Sequence, residues 1–162
     1  MLDSFLGVEF GFKEEQMGIL WSVIFLVSAL ASQLTPIINR FFKNNLSIFF
    51  VGIIIAATLI VSPLLGLLLG GLSLIIRTSF EGIFGNLSSV VINQNTESRY
   101  RATTISTFNM IKNIPYLLGA YAIGSVSDHL SAKNVALYLG VLLLLFGVFQ
   151  FISSFSKKTE SL

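Results

Sequence analysis

Arg77 and Glu81 stand four residues apart inside a stretch, 64–92, that is otherwise long and apolar enough to cross a bilayer. On a helix, residues at i and i+4 share a face, so these two side chains can pair. Charges at such depth cost about 2.5 to 3.5 kcal/mol each on insertion scales, and they commonly mark a substrate or ion path. Two chemistries fit. Arg77 can contact an anionic or polar group of a substrate, or Glu81 can take up and release a coupling proton when Arg77 is drawn away. The plainer alternative is a static buried pair that anchors its helix to a neighbour. Asn109, Lys112 and Asn113 add a second polar set on the apolar stretch 102–125 and complete the candidate substrate- and proton-binding residues. Lys112 has its own plain alternative, snorkelling to the interface along its aliphatic stem.

Arg40, Lys43, Arg99 and Arg101 lie in connections between apolar runs, where cations fix topology, contact anionic headgroups or form a cytoplasmic gate. Other chemistry is not signalled. The chain has no cysteine, and its one histidine, His129, sits beside Asp128 without the further ligands a metal needs. No phosphate-binding glycine loop or nucleophile elbow appears. Neither an enzyme, a cofactor nor a metal site is expected, and any transport would draw on a gradient.

These residues need elements to hold them, and the composition says which. Of the 162 residues, 54% are hydrophobic and 11% charged, with a mean hydropathy of +0.83, against about 25% charged in soluble domains. The chain therefore reads as an all-α integral membrane protein whose partner is the lipid bilayer. A net charge of +2 arising from loop residues gives no basic face for nucleic acid. Five apolar runs, 17–38, 46–62, 64–92, 102–125 and 135–155, predict five transmembrane helices, because barrel strands would alternate apolar and polar residues.

Residues 1–16 are expected as an extracytoplasmic segment and 156–162 as a cytoplasmic tail. The orientation follows from cations: Arg40, Lys43, Arg99, Arg101, Lys157 and Lys158 fall on one side, Lys13 and Lys133 on the other. The positive-inside rule then puts the C-terminus in the cytoplasm and the N-terminus outside, in a multi-pass protein of the plasma membrane. The charge-free second and fifth spans suit lipid, whereas the third and fourth, with Arg77, Glu81, Asn86 and the 109–113 set, should face inward. Pro115 should kink the fourth span or end a straight segment.

A family resemblance rests on particular residues. Glu97-Ser-Arg99-Tyr100-Arg101-Ala102-Thr103, followed by an apolar helix with Leu118-Gly119 and Gly124, then Ser127-Asp128 before a last apolar span, resembles the region joining the final three helices of major facilitator superfamily transporters. Phe12 to Leu20 resembles the approach to the eighth helix of that fold. The resemblance covers nearly the whole chain and corresponds to helices eight to twelve, most of one six-helix half. The loop around Arg40 and Lys43 departs from the family, keeping only the basic residues of a motif that is often rich in glycine and acid.

What the resemblance implies is a secondary-active transporter of a small molecule, with its substrate near the midplane between two halves. Five spans cannot close such a cavity, so the chain is expected to be a truncated piece, not transport-competent alone, whose partner is the missing N-terminal half. Two other readings stand beside it: a small membrane protein that binds other helices as an accessory or regulator, and a nonfunctional remnant of a split gene.

Overall fold

A computed structural model of the chain describes residues 2–41, 44–127 and 130–159. Every regular element among them is helical: α1 (Leu2–Phe10), α2 (Glu14–Ser32), α3 (Thr35–Phe41), α4 (Asn44–Val61), α5 (Leu67–Asn95), α6 (Arg101–Ser127) and α7 (Ala132–Thr159), with short 3-10 turns at Ser62–Leu64 and Ser98–Tyr100. Four segments among the described residues are long and apolar enough to cross a membrane: Glu14–Ser32, Leu46–Leu64, Leu67–Asn95 and Ala132–Ser153. This is the make-up of a multi-pass membrane protein.

The expected count of five spans is thus met by four. The shortfall is α6, whose 27 residues reach about 40 Å at 1.5 Å per residue. Its length suffices, but Asn109, Lys112 and Asn113 fall in its middle and dilute its apolar character. Pro115 does not end it, since the helix runs unbroken through that position.

The first predicted span, 17–38, is two helices. Pro36 has no N–H to offer the Ser32 carbonyl four residues back, and the ladder stops there. The Thr35 hydroxyl donates to that carbonyl instead, at 2.7 Å. Asn86 of α5 in turn donates to the Thr35 hydroxyl at 3.4 Å, which ties the break to the neighbouring helix.

α5 is the central element. α2 runs parallel to it, with the Ser28 hydroxyl donating to the Thr78 carbonyl at 3.0 Å and Gly82 facing Ser28. α4 returns antiparallel to α5 through the corner at Pro63. α7 packs on α4, where Gly140 lets the helices approach so closely that a Cβ would stand 2.9 Å from the Ala56 carbonyl. Stacked rings of Phe49 and Phe151, 4.2 Å between centroids, close the other end of that pair. Among the described residues α6 makes few contacts with α5 and α7.

The segment 1–16, expected to be extracytoplasmic, contributes a helix that packs on the bundle. α1 packs antiparallel to α5 and also reaches α7 and α2. Leu2, Leu6 and Phe10 recur every fourth residue and form one apolar face; Leu6 and Phe10 are buried with Ile24, Leu59, Leu74, Ala132 and Ala136. The Phe10 ring presses against Gly70, and Phe12 covers Gly71. Gly11 ends the helix at φ +104, with the Phe12 amide donating to the Gly7 carbonyl at 3.1 Å and the Gly11 amide to that of Val8 at 2.9 Å. This is the left-handed C-terminal turn that glycine adopts without a Cβ penalty.

Candidate functional site

Arg77 sits between two apolar clusters on α5, one containing Leu74 at the α1 end and one containing Ile83 and Leu87 further along. Its side chain is 1% exposed. A guanidinium carries five N–H donors and stays charged, so burial demands partners. One comes from α1: Arg77 Nη2 donates to Asp3 Oδ1. Glu81, one turn along α5, places its Oε1 3.9 Å from Arg77 Nε, within ion-pair range but beyond a hydrogen bond. Arg77 Nε and Nη1 have no hydrogen-bond partner among the described residues.

The expected i, i+4 pair is therefore present, but it is the weaker half of a three-member constellation. Two acids attend one base, and they differ in access: Asp3 is 23% exposed and Glu81 50%. Asp3 was not among the sequence candidates, because its partner is 74 residues away. The signal that could have found it is the Leu2, Leu6, Phe10 spacing, which marks a short amphipathic helix bearing Asp3 and Glu9.

A second contact, also missed, fixes the other end of α1. Both carboxylate oxygens of Glu9 accept from the start of α7, Oε1 from the Ala132 amide and Oε2 from the Lys133 amide, the latter at 2.9 Å. Those amides have no acceptor within their own helix, being at its N-terminus, where a negative charge is favoured by the aligned peptide dipoles. Lys133 Nζ then donates to the Leu65 carbonyl at 2.8 Å and lies 5.2 Å from the centre of the Phe10 ring. Two acids thus hold α1, one at the bundle's end and one partway along α5.

The other sequence candidates lie apart from this constellation. Asn109, Lys112 and Asn113 are exposed on α6. Arg40 is exposed on α3, and Lys43 lies outside the described residues. Arg99 and Arg101 are exposed where α5 passes to α6; Arg101 Nε donates to the Thr96 carbonyl at 3.2 Å, and Arg99 lies over the Tyr100 ring at 5.6 Å. Among the described residues no group of histidine, cysteine and acid side chains is arranged to hold a metal. No protein-family model matches this chain, and comparison with curated proteins and with solved structures finds no match.

Proposed function

We propose that the chain forms part of the substrate path of a gradient-driven transporter of a small molecule, as its resemblance to the C-terminal half of major facilitator superfamily carriers implies. The observation that carries this reading is Arg77, a fully buried cation on a membrane-length helix, attended by Glu81, which is half-exposed and unbonded. A purely structural pair would be expected to close into direct hydrogen bonds, since unpaired donors at low dielectric are costly. Glu81 is the member free to exchange a proton, and Arg77 the charge that responds.

The polar, exposed strip of α6 supports a complementary set of helices as partner, because asparagines and a lysine along a helix within a bilayer need protein or water against them. Asn109, Lys112 and Asn113 would then face the path shared with that partner. In this reading the protein resides in the plasma membrane, with Arg40, Lys43, Arg99 and Arg101 at the cytoplasmic face.

The test is solute-driven proton movement in proteoliposomes holding the full chain, alone or with complementary helices supplied in trans. A pH dye is trapped inside and solute gradients are imposed one class at a time. Solute-dependent proton flux abolished by Glu81→Gln is the expected result. The reading fails if no solute class moves protons, or if Glu81→Gln moves them at the parent rate.

A further inference from the structure

The reach of the three charged side chains separates ligand classes that the sequence leaves equivalent. Arg77, the cation, is sealed: its guanidinium is 1% exposed, covered by α1 and bonded to Asp3. Asp3 is compensated twice, by Arg77 and by its place in the first turn of α1, where the helix N-terminus carries partial positive charge. Glu81 is compensated by neither at bonding distance and is the most open of the three. Gly85, one turn beyond Glu81 on the same face of α5, leaves open space: nothing lies within 4 Å of where a Cβ would stand. The approachable part of the site is thus an acid beside a gap, and the site as a whole holds two acids to one base.

From this arrangement we infer that the site binds a small organic cation, through its ammonium or equivalent charge, at the Glu81 carboxylate in the gap beside Gly85. The unpartnered Arg77 Nε is the second half of the device. It stands 3.9 Å from Glu81 Oε1, so a rotamer change carries the carboxylate either onto the guanidinium or outward onto the ligand. An anionic ligand is disfavoured, since it meets the Glu81 carboxylate before it can reach the buried Arg77.

This inference rests on the transport reading for its biological role but is tested without transport. Equilibrium dialysis of the purified full chain in mild detergent compares tetraphenylphosphonium with tetraphenylborate, ions of nearly equal shape and opposite charge, and adds tetramethylammonium as a small cation. At least one of the two cations should bind at a single site. Glu81→Gln should weaken that binding by about tenfold or more, the effect of losing one charge-assisted contact. Glu81→Asp, which keeps the charge, should retain most of it. Circular dichroism of the variants guards against loss of fold, and Gly85→Leu, which fills the gap while leaving every charge in place, should also weaken binding.

Binding of neither cation, equal binding to the parent and Glu81→Gln, or tighter binding of tetraphenylborate overturns the inference. Cation binding without any solute flux leaves the ligand class standing and removes the transport reading. Flux of another solute class without cation binding does the reverse.

Discussion

At Arg77 a group with five donors meets one bonded acid, and the consequences can be weighed. Removing one partner of a buried charge pair typically costs about 3–5 kcal/mol, because the other charge is left uncompensated. Asp3→Ala should therefore lower the thermal midpoint of the detergent-solubilised protein by the equivalent of about 3 kcal/mol. Asp3→Ala combined with Arg77→Met should recover most of that loss, since a methionine fills the space without a charge. If Asp3→Ala unfolds at the parent temperature, the bond between α1 and α5 contributes nothing and Asp3 is a bystander. The spacing of Arg77 and Glu81 was legible in the sequence because it is local, set by 3.6 residues per turn. The Asp3 contact was not, because it depends on which face of α5 the first helix packs against.

At the scale of elements, α1 covers α5 from Gly70 to Arg77, and the break before α3 meets α5 further along, at Asn86. α1 fits only because Gly70 and Gly71 leave a flat surface for Phe10 and Phe12. Gly70→Ala puts a methyl group into the Phe10 ring, and overpacking of this kind costs about 1–3 kcal/mol. The expected outcome is a lowered thermal midpoint together with faster maleimide labelling of a cysteine at Leu6, which the parent structure buries. Gly85→Ala, where the space is open, should be neutral or slightly stabilising by its better helix propensity and serves as the control. Labelling at Leu6 unchanged by Gly70→Ala would show that α1 does not depend on this surface.

Of these elements, the apolar runs of α4, α5 and α7 were readable from length and composition, to within a few residues at their ends. Pro36 carried the signal for the α2–α3 break but was outweighed by the apolar residues around it. α1 is too short for a span, and it escaped notice because its burial depends on glycines 60 residues further along the chain.

At the scale of the whole molecule, the four membrane-length segments order its two ends. Lys133, Leu65 and Glu9 meet at one end, and α5 carries the chain from there to Arg99 and Arg101 at the other. With no native cysteine to interfere, single cysteines at Ser131 and Arg99 should be labelled by a membrane-impermeant reagent from opposite faces of sealed vesicles. Labelling of both from one face would contradict the passage of α5 across the bilayer. The loop lysines and arginines predict which of those faces is cytoplasmic, and the same labelling tests it. The sparse seating of α6 was not legible in the sequence, because polar residues on a helix announce a need for partners without saying which chain supplies them.

The grip of Glu9 on the start of α7 joins residues 123 positions apart. During synthesis α7 must emerge before that contact can form, so α1 waits for its second anchor until most of the described helices have been made. Until Ala132 and Lys133 emerge, Asp3 has its partner Arg77 on α5, but Glu9 lacks the α7 amides it binds. Closure of such a distant loop is slow compared with helix formation itself. The full seating of α1 thereby reports on the completion of α7.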